Sequence, residues 1–155
     1  MATEIERKFL VTSEEWRLLA DAGTRFLQGY LNEERHASVR VRIEGECANL
    51  NIKSADAGIQ RQEYEYSIPL EDARRMLADL CIGGLIEKTR FRVHHGGHLW
   101  EVDVFAGANA GLVVAEIELD AVAEVFERPA WLGEEVSHDA RYYNHFLARC
   151  PWKDW

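Results

Sequence analysis

Most of the chain alternates apolar and polar residues with a period of two, the signature of β-strands. The alternation predicts strands over residues 3–11, 25–34, 37–45, 47–54, 60–69, 85–95, 98–105 and 112–120. Turn-forming residues separate several of them: Glu44-Gly45-Glu46, Asp56-Ala57-Gly58, His95-Gly96-Gly97 and the stretch 107–111. Connections this short join antiparallel neighbours. Helices are secondary. Thr12-Ser13-Glu14-Glu15 has the spacing of a capping box and predicts a helix running to about Asp21. Leu70 to Leu80 predicts another, with Ala73, Met76, Leu77 and Leu80 on one face. A short turn over 121–126 and a C-terminal helix over Asp139–Arg149 complete the set. The expected class is α+β, mainly β, and the absence of linkers or repeats makes residues 1–155 one domain.

Residues two apart on a strand point the same way, so the alternation also sorts side chains onto faces. Glu4, Glu6 and Lys8 share one face, opposite Ile5, Arg7 and Phe9. Arg40 and Arg42 stand together, as do Asn49, Asn51 and Lys53, then Glu63 and Glu65. Lys88, Arg90 and Arg92 follow, then Glu101 and Asp103, then Glu116 and Glu118. An open antiparallel sheet with one wet face yields the same alternation strand by strand. The recurrence of like-charged doublets points elsewhere, because like charges on one face repel and stabilise nothing by themselves. The alternative puts the charged face inside a closed barrel, whose interior at about eight strands holds one small ligand. Charges there must be hydrated, paired or neutralised by a ligand. Arginine and lysine would then take phosphate oxygens, and clustered carboxylates a hard cation such as Mg²⁺ or Mn²⁺.

Composition narrows the partners. Hydrophobic residues at 47% and charged residues at 29% are the proportions of a soluble globular protein, and no apolar run is long enough to span a bilayer. The net charge of −9 repels nucleic acid and anionic membranes, leaving a small anion as the natural ligand for the clustered cations. Three scattered cysteines without a Cys-x-x-Cys pair, and an N-terminus lacking the apolar core of a signal peptide, predict a cytoplasmic protein with reduced thiols. No Gly-x-x-x-x-Gly-Lys loop is present, so a phosphate site would not be of the P-loop type. His94 and His98 flank Gly96-Gly97, which makes a hairpin and not a helical zinc pair. Trp16 and Trp100 fall on apolar faces. Trp131, Trp152 and Trp155 are expected to cover the barrel end or a subunit contact, which leaves a homodimer open.

Glu4-Ile5-Glu6-Arg7-Lys8 matches the Glu-x-Glu-x-Lys signature of the CYTH family, the triphosphate tunnel metalloenzymes. The resemblance continues in order through Gln28-Gly29-Tyr30-Leu31, Arg40-Val41-Arg42, Asn51-Ile52-Lys53, Arg61-Gln62-Glu63-Tyr64-Glu65 and Glu87-Lys88-Thr89-Arg90. It closes with Glu101-Val102-Asp103-Val104-Phe105, Glu116-Ile117-Glu118 and the tail from Trp131 to Asn144. It implies a closed eight-stranded antiparallel barrel, the triphosphate tunnel, with flanking helices. It also implies phosphate binding by Lys8, Arg40, Arg42, Lys53, Lys88 and Arg90, and metal binding by Glu4, Glu6, Glu116 and Glu118, helped by Asp103. Glu63 and Glu65 match a further acidic pair that would help to position the attacking water. Lys88 would assist the leaving phosphate with Tyr30 beside it. A chain of this length with a Gln-Gly-Tyr segment resembles the inorganic triphosphatases, so the expected activity is metal-dependent hydrolysis of inorganic triphosphate. A class IV-type adenylyl cyclase, a thiamine triphosphatase and a non-catalytic polyphosphate- or nucleotide-binding module are the alternatives. The stretch around Tyr143 and His145 departs from the family pattern.

Overall fold

The computed structural model describes residues 2–33, 35–55 and 58–155. Nine strands form one sheet: β1 (Ala2–Val11), β2 (Thr24–Tyr30), β3 (Ala37–Glu44), β4 (Cys47–Ser54), β5 (Gln60–Ile68), β6 (Ile82–His95), β7 (His98–Ala106), β8 (Val113–Glu118) and β9 (Leu132–Glu135). Two short α-helices accompany them, α1 (Leu70–Asp79) and α2 (Asn144–Arg149). The order is β5-β4-β3-β2-β6-β7-β8-β1-β9, every pairing is antiparallel, and β5 returns to β1. Eight strands therefore close a barrel, as expected, and closure removes the exposed edges of an open sheet.

β1 is the seam. One of its edges pairs with β8 over Glu6–Leu10, while the other pairs first with β5 over Ala2–Ile5 and then with β9 at Phe9 and Val11. The ninth strand, which the alternation did not predict, takes up the edge that β5 leaves free. It is too short to show a period, and Arg7 Nε reaches Glu135 Oε2 at 2.9 Å beside it.

Three other expectations shift. The helix expected from Thr12 to Asp21 is a 3₁₀ turn over Glu15–Leu19. The capping box is not made, because the Thr12 hydroxyl donates to the Trp131 carbonyl at 3.1 Å, and Ala20 is pulled into a bridge with Val93. The C-terminal helix expected over 139–149 is broken at Tyr143, whose extended backbone separates a 3₁₀ turn over Ala140–Tyr142 from α2. β2 ends at Tyr30, where the Asn32 side chain takes over the ladder, accepting from Val39 N at 2.9 Å and donating to Ala37 O at 2.8 Å. The remaining part of the expected strand at Glu34, and the turn at Asp56-Ala57, lie outside the described residues.

The outer face of the barrel is apolar. Ile5, Phe9, Val93, Trp100, Val102 and Ile117 are buried beneath Trp16, Leu119, Trp131 and Leu132. On the opposite flank Val41 and Ala48 lie under Ala73 and Leu77 of α1, while Leu80, expected on the same helical face, caps the helix in solvent. Trp131 stacks edge-on against Trp100 at 5.8 Å, so it belongs to this outer core and not to the barrel end.

The inner face changes character along the strands. Glu4, Glu6 and Lys8 give way to Leu10; Arg92, Arg90 and Lys88 to Ile86; Asp103 to Phe105; Glu116 to Val114. The apolar end is plugged by Leu147 and Ala148 of α2, with Tyr30 and Trp152 against them. A bulge opens this end: Tyr30 pairs with Ile82 two residues out of step, and Gly83 takes a left-handed φ of 69°. An added Cβ at Gly84 would come within 3.0 Å of the Ala148 carbonyl, so the glycines are what let α2 seat.

Leu147 is fully buried in this plug. Leu147→Ala is expected to lower unfolding stability by about 2–5 kcal/mol in a denaturant titration. A change below about 0.5 kcal/mol would mean that the plug is not packed as described.

Candidate active site

The strand registers carry the charged rows around the barrel on every strand except β2, whose inner face is Phe26, Gln28 and Tyr30. Lys8 faces Glu116 and Glu116 faces Glu101; Arg90 faces Asp103; Arg40 faces Asn51; Lys53 faces Glu63; Glu4 faces Arg61. They enclose a cavity of about 280 Å³ whose lining is almost wholly charged or amide-bearing. A smaller cavity of about 50 Å³ lies behind Lys8, Arg40 and Lys53, and is lined further by Tyr30, Ser38, Arg61, Tyr143 and His145.

Asp103 organises one wall. It is fully buried and accepts from Arg90 in a two-pronged contact, Nε to Oδ1 at 2.7 Å and Nη2 to Oδ2 at 2.8 Å, while Lys88 Nζ reaches Oδ2 at 2.8 Å. Arg90 also approaches Glu101 at 3.4 Å and Glu116 at 3.5 Å. Burial raises the cost of charge on Asp103, but the adjoining Arg90 and Lys88 outweigh it and hold the carboxyl below its usual range. Burial works the other way on Lys88: despite Asp103, and with Arg90 nearby, its ammonium is pushed down to about 7.

The other cations are less evenly paired. Lys53 sits between Glu4 at 3.0 Å and Glu63 at 3.3 Å. Lys8 donates to the Tyr142 carbonyl at 3.0 Å and lies 3.5 Å from Glu116. Arg42 meets Glu44 at 3.2 Å and Gln28 at 3.0 Å, and burial together with Arg40 and Arg90 lowers its guanidinium to about 10. Arg40 is different. It is 5% exposed, forms no ion pair with a described carboxylate, and its Nε lacks any hydrogen-bond partner. A buried guanidinium left so, lining both cavities, is open to water or to an anion from outside the protein.

The carboxylates show the complementary excess. Burial, then Glu116 and Glu4, push Glu6 well above the usual carboxylate range. Burial likewise raises Glu4, which hydrogen-bonds Glu63. Glu118, at the mouth, is raised by burial and by Glu4 and Glu101. Carboxyls raised in this way are short of neighbouring positive charge.

The sequence profile of the CYTH domain matches residues 2–143. The chain belongs to the CYTH family. It is 44% identical over 154 residues to a protein of Acetivibrio thermocellus named inorganic triphosphatase, covering 99% of this chain and 98% of that one. A Nitrosomonas europaea protein of the same name is 39% identical over 150 residues, covering 94% and 97%. A crystal structure of an inorganic triphosphatase superposes with a TM-score of 0.66 at 37% identity, over 96% of this chain and 95% of the other.

In this CYTH chain the expected site residues divide by position. Glu4, Glu6, Arg40, Arg42, Lys53, Glu63, Glu65, Lys88, Arg90, Glu116 and Glu118 line the main cavity, Glu65 and Glu118 at its exposed mouth. Lys8 lines the smaller cavity, as does Tyr30. Asp103 stands behind the wall with both oxygens already taken. Sequence reasoning missed several lining residues. Glu44 continues the Arg40–Arg42 face by one more step of two and was hidden by its place in a turn; Phe26 continues the face of Tyr30. Asn144, which accepts from Lys88, comes from outside the barrel and has no pattern in the strands.

Among the described residues no three carboxylate, histidine or cysteine groups converge as a ready metal site. The donor set nonetheless fits a hard divalent cation. Its atoms are all carboxylate oxygens, and burial raises Glu4, Glu6 and Glu118 above the usual carboxylate range, a shift that a bound cation would reverse. Because their folded pKa values lie above the unfolded ones, these groups weaken the metal-free fold as pH rises through the folded values. Adding Mg²⁺ or Mn²⁺ in weak buffer just above the ordinary carboxylate range should therefore release protons, and Glu6→Gln should reduce the release. A titration that leaves the pH still would contradict this reading of the carboxylates.

Proposed function

We propose that this chain is a divalent-metal-dependent triphosphatase that cleaves inorganic triphosphate to pyrophosphate and phosphate. The observation that carries the reading is Arg40, buried without an ion pair to a described carboxylate, in a lumen where cations and carboxylates face one another. Such a lumen suits a short polyanion together with its cations. The names of the relatives, at 44% and 39% identity over nearly the whole chain, support the same activity.

In this reading Lys8, Arg40, Arg42, Lys53 and Arg90 bind the phosphate oxygens, with the guanidinium groups suited to two-pronged contact. Glu4, Glu6, Glu116 and Glu118 would hold Mg²⁺ or Mn²⁺, which neutralises phosphate charge and lowers the pKa of water. Asp103 is better assigned to holding Lys88 and Arg90 than to metal, because three N–H donors already use its oxygens. Glu63 and Glu65 lie on β5, next to β1, and would position the attacking water. Water oxygen bonds to a terminal phosphorus while the bridging P–O bond breaks, one water proton is lost, and the pyrophosphate oxygen takes the electron pair. Lys88 would stabilise that developing charge, with Tyr30 behind it across the smaller cavity.

The lining offers little to a nucleoside. Its aromatic member, Phe26, lies beneath Arg42 at 4.8 Å, Arg90 at 5.0 Å and Lys88 at 5.8 Å, so its ring face is occupied by cations. This favours inorganic triphosphate over the adenylyl cyclase and thiamine triphosphate alternatives.

The test is phosphate release from inorganic triphosphate, ATP and thiamine triphosphate with Mg²⁺, Mn²⁺ or EDTA, with cyclic AMP assayed in the ATP reaction. Release should be fastest from inorganic triphosphate, vanish in EDTA and produce no cyclic AMP. Lys88→Ala should cut turnover by roughly 100-fold or more while triphosphate still binds. Cyclic AMP with pyrophosphate would establish the cyclase instead, and triphosphate binding without any turnover would reduce the protein to a binding module.

A further inference from the structure

The ammonium of Lys88 has three N–H bonds, and two of them are spent inside the protein. One goes to Asp103 Oδ2 at 2.8 Å, the other to Asn144 Oδ1 at 3.3 Å. An ammonium group only donates, so the amide of Asn144 must turn its oxygen to Lys88 and its nitrogen elsewhere. The aliphatic stem of Lys88 is fully buried, with Nζ 5.8 Å and 5.5 Å from the ring centres of Phe26 and Phe105. Burial fixes where the stem runs. The two acceptors fix how the ammonium is turned, and so where its third N–H points.

Asn144 differs from every other polar neighbour of Lys88 in its origin. Asp103, Arg90, Glu116 and Arg42 come from barrel strands, whereas Asn144 opens α2 in the C-terminal segment. It borders both the main cavity and the smaller one behind it. Its position is set from two sides. The Tyr143 hydroxyl donates to the Ser137 carbonyl at 2.9 Å, and one turn later Leu147 is buried in the plug. The backbone of this segment also meets the site directly, since Lys8 Nζ donates to the Tyr142 carbonyl at 3.0 Å.

We infer that Asn144 is a positioning residue, which with Asp103 aims the Lys88 ammonium at the triphosphate and makes the docked C-terminal segment part of the active site. The inference rests on the triphosphatase reading and adds to it a residue that never touches the reacting atoms. It commits the amide to acting through its oxygen, as an acceptor. If Asn144 instead held substrate through its nitrogen, a carboxylate in its place would repel phosphate and weaken binding.

Steady-state kinetics on inorganic triphosphate with Asn144→Ala, Asn144→Leu and Asn144→Asp separate these roles, with the melting temperature of each variant as a control on folding. Alanine and leucine remove the acceptor and should lower kcat about 10- to 100-fold with KM within about twofold, the scale on which a misaimed catalytic group costs rate. Aspartate restores the acceptor and should recover most of kcat. Unchanged kcat in Asn144→Leu, a loss confined to KM, or aspartate no better than leucine would each overturn the inference. A wild-type protein silent towards every triphosphate would take down the triphosphatase reading itself, an outcome visible before any variant is made.

Discussion

The Asp103 contact with Arg90 and Lys88 is the interaction on which the rest of the tunnel depends. Two cations on neighbouring positions of one inner face would repel each other and could not be buried alone. A fully buried carboxylate between them, accepting three N–H bonds at 2.7 and 2.8 Å, turns that liability into a rigid wall. Having fixed these two donors inside the protein, the barrel can leave other charges for a ligand. Arg40 has no ion pair with a described carboxylate, and burial with Glu116 and Glu4 raises Glu6, so the lumen suits both an anion and a cation.

That preference explains why the barrel is charged within and apolar without, the reverse of an ordinary small domain. The hydrophobic stabilisation comes from the outer face, under Trp16, Trp131 and α1, and from one plugged end. Packing therefore never competes with the charged layer for the same positions. The plug does more than fill space. α2 seats against Gly83 and Gly84 and presents Asn144 to Lys88, while the turn before it presents the Tyr142 carbonyl to Lys8. Stability of the C-terminal segment and geometry of the site are thus coupled. Near the same segment, burial with Arg61 and Lys8 close by pushes His145 down to about 4, so it adds no further cation to that side at neutral pH.

Much of this was legible in the amino-acid order because period two reports faces directly. The rows through Glu4, Glu6 and Lys8, through Arg40 and Arg42, and through Glu116 and Glu118 point to one side in the sequence and do so in the fold. What alternation cannot report is which residue an orphan side chain will meet. Thr12 looked like a helix cap and spends its hydroxyl on Trp131; Asp103 looked like a lumen carboxylate and is consumed by its neighbours. β9 is four residues long, and its place on β1 is decided by where β5 stops pairing. Asn144 joins the site only because a distant segment folds back over the barrel, so its role is tertiary from the start.

The lumen's charges are held at a cost until a polyanion and a metal satisfy them. Arg40→Met tests this most directly, because methionine keeps the stem's packing and removes the unpaired charge. Melting of wild type and variant would be compared without ligand, and then with Mg²⁺ and a non-hydrolysable imidotriphosphate. The variant should melt at or above wild type when empty and lose most of the ligand-induced rise. A variant that melts well below wild type when empty, yet gains as much from the ligand, would contradict this.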